Sequence, residues 1–310
     1  MRPWLILLLA SATAAFAQPA EKPATLQAPS GSAESVTVTA TPLPGRSAVD
    51  EFIYSYPHVS RYVEKIPRWK DGICPVVEGV PARYAAFITT RLKAIAQKAG
   101  APVDADPRCR HNIQILFSDH PQEVGDYLGK NHSPYLGVFD NLHQADELAK
   151  VTHDIQAWYL TGSVNYQGAW KIDNPRANFF NNTTYGFYGG NDGDYLAFGR
   201  VGGRINDGIA SYLYNVIIVA DSGKLKQVEM GALADYIAML ALTQLGSLDA
   251  CQQLPSIVNM LAKDCDRKAD ALTENDIAYL HALYKAAPDQ TLGTQQDQMA
   301  YQMEQELKGR

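Results

Sequence analysis

Two carboxylates in one very apolar stretch are the residues of this chain whose setting most demands a chemical explanation. Glu229 and Asp235 stand within Val228 to Thr243, where Met230, Leu233, Ala234, Tyr236, Ile237, Ala238, Met239, Leu240, Ala241 and Leu242 make a helix that is apolar nearly all round and therefore central. An acid in such a place must be paired, hydrogen-bonded or protonated, or else serve as a ligand, acid or base. For Asp235 the expected partner is Arg204 or a tyrosine hydroxyl, with a residual ligand or acid role as the rival reading.

Other groups of reactive residues carry less. His132, His143 and His153 are neighbours in sequence, with Asp146 and Glu147 one turn after His143, but no histidine of the chain has another four residues away. They read as solvated side chains, and no metal is expected there. Gly189-Gly190-Asn191-Asp192-Gly193-Asp194 approximates one calcium-binding nonapeptide, with Asp192 where glycine belongs; such sites form between stacked repeats, so a glycine-rich turn is the expectation. No G-x-S-x-G, P-loop or dinucleotide fingerprint is present, and no cofactor is expected. The four cysteines, Cys74, Cys109, Cys251 and Cys265, have no C-x-x-C spacing that would indicate zinc. Their even number in an exported chain points to disulfides. Of three possible pairings, Cys74 with Cys109 and Cys251 with Cys265 are preferred, because each closes a short loop; each is worth about 3 to 4 kcal/mol by loop entropy.

Export is read from residues 1–17. Met1 and Arg2 precede an apolar run from Trp4 to Phe16, and Ala15-Phe16-Ala17 stands before Gln18, the pattern of a secretory signal peptide with its cleavage site. The apolar run falls short of the roughly 20 residues of a permanent membrane helix, so a periplasmic or secreted protein without an integral membrane segment is expected. Residues 18–47 read as a tether rich in Ala, Pro, Ser and Thr, apart from Val36-Thr37-Val38-Thr39, which alternates, is β-branched and suits an edge strand. Residues 48–290 read as a single globular domain and 291–310 as a polar helical tail. The net charge is −6, and no run of Lys and Arg is long enough to hold a phosphate backbone, which argues against nucleic acid.

The elements that must position these residues follow from periodicity. A strand is expected over Trp69 to Val77, then a helix opened by Pro81 and ended by Gly100, with Tyr84, Phe87, Ile88, Leu92, Ile95 and Ala99 on one face. A strand over Asn112 to Phe117 completes a right-handed crossover and a parallel pair, with Cys74 in the first strand. Short helices over 122–129 and 143–151, strands over Ile155 to Val164 and Tyr214 to Ala220, and an irregular aromatic segment over 165–203 lead to the central helix. A further helix begins at Thr273, capped reciprocally by Asp276 and stapled by Leu272 onto Ile277. The fold class is mixed α/β, of the α+β kind.

Two resemblances emerge from those elements. Arg68-Trp69, Gly72-Ile73-Cys74-Pro75, Gly79, Cys109 and Asn112 resemble a family of uncharacterised exported bacterial proteins, which brings no activity with it. The layout, with Pro255-Ser256-Ile257 and Leu272-Thr273-x-x-Asp276-Ile277 to Leu283-Tyr284, is similar to zincin metalloproteases of the metzincin type. That resemblance implies a zincin-like mixed sheet with a long surface helix, a buried central helix and a helical C-terminal part. The family's H-E-x-x-H-x-x-G-x-x-H, which grips zinc and supplies the base, would fall on Gly231, Ala232, Asp235 and Ala241, and Val258, near Met260, would take the place of the following methionine. Only Asp235 has a donor. The implied protein is a degenerate, non-catalytic binding or scaffold module of the bacterial envelope, its partner an envelope protein, peptide or glycan. The alternative is a hydrolase acting on peptide or cell-wall material through Asp235 or Glu229 and the aromatic segment.

Overall fold

The structure, a computed structural model, describes residues 44–59, 64–174 and 203–309. The leader, the Val36–Thr39 run, Gly189–Asp194 and the aromatic residues between 175 and 202 lie outside the described residues.

In chain order the elements are α1 (Arg46–Ser55), β1 (Arg68–Trp69), β2 (Pro75–Glu78), α2 (Ala82–Ala99), β3 (Ile113–Ser118), α3 (Pro121–Asn131), α4 (Leu142–Leu148), β4 (Ile155–Val164), β5 (Trp170–Ile172), β6 (Ala210–Asp221), α5 (Met230–Leu242), α6 (Glu274–Lys285) and α7 (Leu292–Lys308). One mixed sheet runs β2-β3-β6-β4-β5, with β1 beside the start of β6. The crossover through α2 makes β2 and β3 parallel, as expected, and β3 and β6 are parallel too, whereas β4 is antiparallel to both β6 and β5. Alternation assigns the two faces. Val216, Ile218 and Ala220 of β6 join the main core with α1, α2, α5, α6 and α7, while Ile217 and Val219 meet Leu128, Phe139, Ala145 and Trp158 on the side of α3 and α4. Between Leu160 and Thr161 the register slips so that Tyr214 is an extra residue on β6, a bulge that returns Leu213 to the main core.

The long helix has the expected ends. Pro81 stands at its N-cap, and Gly100, at φ 77°, closes it by donating to the carbonyls of Ala96 and Gln97. Ile88, Leu92, Ile95 and Ala99 are buried; Phe87, placed on that face by periodicity, is 45% exposed. The central helix is buried at every position from Ala232 to Leu242. At α6 the reciprocal cap between Thr273 and Asp276 is complete, and Asp276 also accepts from the Ser256 hydroxyl and the Ile257 N–H. Among the described residues no helix is long and apolar enough to cross a membrane.

Three expectations are corrected. The strand foreseen over Trp69 to Val77 is two strands, because the chain at Gly72 passes so close to Asp104 that a Cβ would stand 2.8 Å from the Asp104 nitrogen. Cys74 therefore lies between β1 and β2 rather than within a strand, and its N–H donates to Asn112 Oδ1 at 2.7 Å. The third concerns the closing helix: α7 is built into the core through Met299, Ala300 and Met303, and Gln295 donates to the Pro288 carbonyl and accepts from the Ile66 N–H. Glutamines made it look like a tail, yet two of them, Gln295 and Gln296, are buried.

The preferred cysteine pairing is present: Cys74–Cys109 and Cys251–Cys265, with Cα atoms 6.0 and 5.3 Å apart, close loops of 35 and 14 residues. The residues around the first disulfide have structural duties. Asn112 bridges Cys74 N–H and the Gly72 carbonyl, Trp69 Nε1 donates to the Ala241 carbonyl at the end of the central helix, and the Arg68 guanidinium donates to the Leu283 and Ala286 carbonyls at the end of α6. Burial without a carboxylate lowers the Arg68 pKa to about 10.

Candidate functional site

Asp235 is 1% exposed, and its carboxylate is fully engaged. Arg91 of α2 grips it through both oxygens, Nε to Oδ1 at 2.6 Å and an Nη to Oδ2 at 2.9 Å, and the Leu272 N–H donates to Oδ2 at 2.9 Å. The bidentate bond in turn holds the Arg91 pKa above its ordinary value. Arg91, not Arg204 or a tyrosine, is thus the partner. The guanidinium is half-exposed and lines a hollow of about 260 Å³ with Ile95, Lys98, Leu272, Glu274 and Ile277, so solvent reaches the cation while the carboxylate is sealed beneath it.

Glu229 has a different task. It is the N-cap of α5, its side chain accepting from the Ala232 N–H at 2.9 Å. The carboxylate folds back over Gly231, where a Cβ would come within 2.7 Å of Glu229 Oε2. The positions at which zinc ligands would fall therefore do not fit the metal. Gly231, Ala232 and Ala241 have no donor atom, and the one carboxylate among them is spent on Arg91. Among the described residues, the close set of three His, Cys, Asp or Glu donors is Cys251, Cys265 and Asp266, two of which are joined in the disulfide.

A groove lies instead along β4. It encloses about 400 Å³ between the strand residues Gln156 to Thr161, the turn at Leu136 to Val138, and the segment Gln244 to Asp249 that follows the central helix. The strand is fixed from both sides, by Tyr159 Oη donating to the Leu240 carbonyl at 3.0 Å and by Trp158 Nε1 donating to the Leu148 carbonyl at 2.7 Å. Gly137, at φ 112°, turns the wall, a conformation few residues other than glycine adopt. The far wall is tied to the end of α1 by His58 N–H to the Gln244 carbonyl and Gly246 N–H to the Tyr56 carbonyl.

The groove borders a sheet edge. On the β6 side, Asp221 N–H donates to the Asp154 carbonyl, so antiparallel alternation turns the backbone groups of Gln156, Trp158 and Leu160 toward β6 and those of Ala157 and Tyr159 away from it. The other side gives the same parity, because the Thr161 carbonyl, two residues beyond Tyr159, accepts from Asp173 N–H. The β5 ladder covers only Gly162 to Val164, and among the described residues no strand continues it along Ala157 and Tyr159.

The titratable groups of the groove are sparse. Among the described residues no Lys or Arg lines it; Asp249 receives His153 Nε2 at 3.3 Å, and His58 is buried enough that its pKa is lowered. Beyond Thr161 the strand carries a buried polar cluster in which Asp173 accepts from the Ser163 and Ser211 hydroxyls. Burial raises the Asp173 pKa to about 6, against those hydrogen bonds, which lower it.

Neither a family model, nor a curated protein, nor a solved structure matches this chain. The sequence singles out Glu229 and Asp235 but not Arg91, which is absent from the apolar face that periodicity assigns to its helix. A signal was present: Arg91 stands three residues after Ile88 and four before Ile95, at the border of the buried stripe. The groove had no local signal, since its walls come from segments far apart in sequence.

Proposed function

We propose that this protein is an exported, non-catalytic binding module of the bacterial envelope that takes an extended peptide segment onto the outer edge of β4. The observation that carries this reading is the outward-facing backbone of Ala157 and Tyr159 within a preformed groove. An added strand gains affinity from main-chain hydrogen bonds and selectivity from alternate side chains in wall pockets. Leu136, Val138, Leu245 and Leu248 offer apolar contacts, and a wall that among the described residues has Asp249 but no Lys or Arg favours neutral or cationic segments over acidic ones. Catalysis finds no support in Asp235 or Glu229, since each already serves a partner within the fold.

The test is binding of unbiased extended peptides, read by fluorescence polarisation, to the wild type and to Ala157→Pro. Proline removes an outward amide without touching the bonds to β6, so at least a tenfold loss is expected, and the same loss on N-methylating alternate amides of a bound peptide. Stoichiometric zinc in the purified protein, removed together with a hydrolytic activity, would overturn the non-catalytic reading.

A further inference from the structure

The two walls of the β4 groove stand on opposite faces of the sheet and differ in chemistry. Trp158 belongs to the face covered by α3 and α4, where its Nε1 donates to the Leu148 carbonyl and Leu136 joins the same apolar cluster. Ala157 and Tyr159 belong to the main core, against which Leu245 and Leu248 also pack, and the Tyr159 hydroxyl donates to the Leu240 carbonyl. A strand added at the edge lies between these walls, and its side chains alternate from one to the other. The first wall, with Leu136, Val138 and Leu148, is apolar; the second runs from Leu245 and Leu248 to the Asp249 carboxylate. We propose that the groove selects extended segments in the order aliphatic, basic, aliphatic, the two aliphatic side chains meeting the first wall and the Lys or Arg between them reaching Asp249. The inference rests on the peptide-binding reading given above and names the sequence class that the site takes.

The second wall suits a long amphipathic side chain. A Lys or Arg lays its stem along apolar surface and keeps its charged head in water. Leu245 and Leu248 are half-buried, whereas the Asp249 side chain is 79% exposed, so stem and head each find their own surroundings. His153 Nε2 stands 3.3 Å from Asp249 Oδ2, a contact that leaves Oδ1 to receive a cation. Magnitudes rank the two walls. An exposed ion pair adds little, so Asp249 sets a preference of about fivefold for Lys over Glu, through attraction lost and repulsion gained. Each aliphatic side chain covered by the first wall is worth about tenfold, so that wall sets the affinity.

The experiment uses the full exported chain and capped, fluorescein-labelled nonapeptides, each a glycine–serine frame around three central residues, read by fluorescence polarisation. Leucine–lysine–leucine is expected to bind about fivefold more tightly than leucine–glutamate–leucine, and about tenfold more tightly than leucine–leucine–lysine, which has the same composition in another order. In Asp249→Asn the first ratio should fall to about one while the second persists, and Asp249→Lys should reverse the first; the side chain is exposed, so both variants should fold. A lysine preference unchanged in Asp249→Asn, or equal binding of the two composition-matched orders, overturns the inference. The two levels separate cleanly: if all three peptides bind alike and Ala157→Pro weakens each of them, the groove stands without this selectivity. If none of them binds, the groove reading falls and takes the inference with it.

Discussion

The central helix and the β4 strand make opposite use of their polar groups. On α5 the side chains are of the right type for chemistry, yet Asp235 is spent on Arg91 and the Leu272 amide, and Glu229 on the helix N-terminus. On β4 no side chain announces a reactive motif, yet the backbone of Ala157 and Tyr159 faces a groove without a neighbouring strand among the described residues. What a region can do therefore depends less on which residue types it contains than on which donors and acceptors the fold leaves uncommitted.

The sharpest way to break this comparison is to free Asp235. With Arg91→Leu the buried carboxylate retains only the Leu272 N–H, and removal of one member of a buried pair costs about 3 to 5 kcal/mol. Because the Arg91 side chain is 46% exposed, the lower end is expected, about 3 kcal/mol by urea denaturation. The Arg91→Leu/Asp235→Leu double variant should regain most of it, since two apolar side chains leave no buried charge. A neutral Arg91→Leu would mean that Asp235 is not held by its partner, and the central helix would again be open to an acid or ligand role.

Asp173 tests the strand side of the comparison through pH. Its folded pKa, about 6, stands above the ordinary 3.8, so the folded state holds the proton more tightly than the unfolded chain. That contribution to stability is complete below the ordinary value and is lost as pH rises through about 6, a fall of roughly 3 kcal/mol from a shift of about two units. Asp173→Asn keeps an acceptor for Ser163 and removes this titration, so between pH 4 and 6.5 its stability should decline by roughly 3 kcal/mol less than that of the wild type, the buried Asp276, whose pKa is also raised, keeping its own share. Parallel pH profiles of the two proteins would show that some other group produces the decline.

Legibility in the sequence divides along the same line. Strand β4 was foreseen residue for residue, and α2, β3 and the capped start of α6 to within a residue or two, because local periodicity and end signals decide them. The cysteine pairing was legible for a similar reason, since short loops between neighbouring elements bring Cα atoms within disulfide reach. The tail at 291–310 was misjudged because Gln295 looks polar in sequence, whereas its amide replaces water with the Ile66 N–H and the Pro288 carbonyl. The partner of Asp235 and the groove were not legible. Both depend on which segments meet in space, Arg91 with a residue 144 positions later, and Thr161 across from the turn at Gly137.

The smallest effect bears on Glu229, where capping and chemistry make different demands. If the carboxylate serves only to receive the Ala232 N–H, then Glu229→Ala should cost about 1 kcal/mol, the usual loss of an N-cap. Glu229→Ser supplies a shorter acceptor of the kind most favoured at that position, and should restore or exceed the wild-type stability. A serine can cap a helix but cannot act as a carboxylate base, so peptide binding and any residual activity must be unchanged in Glu229→Ser if the helix is only a support. Stability recovered together with a lost activity would assign Glu229 a second role and return reactive chemistry to α5.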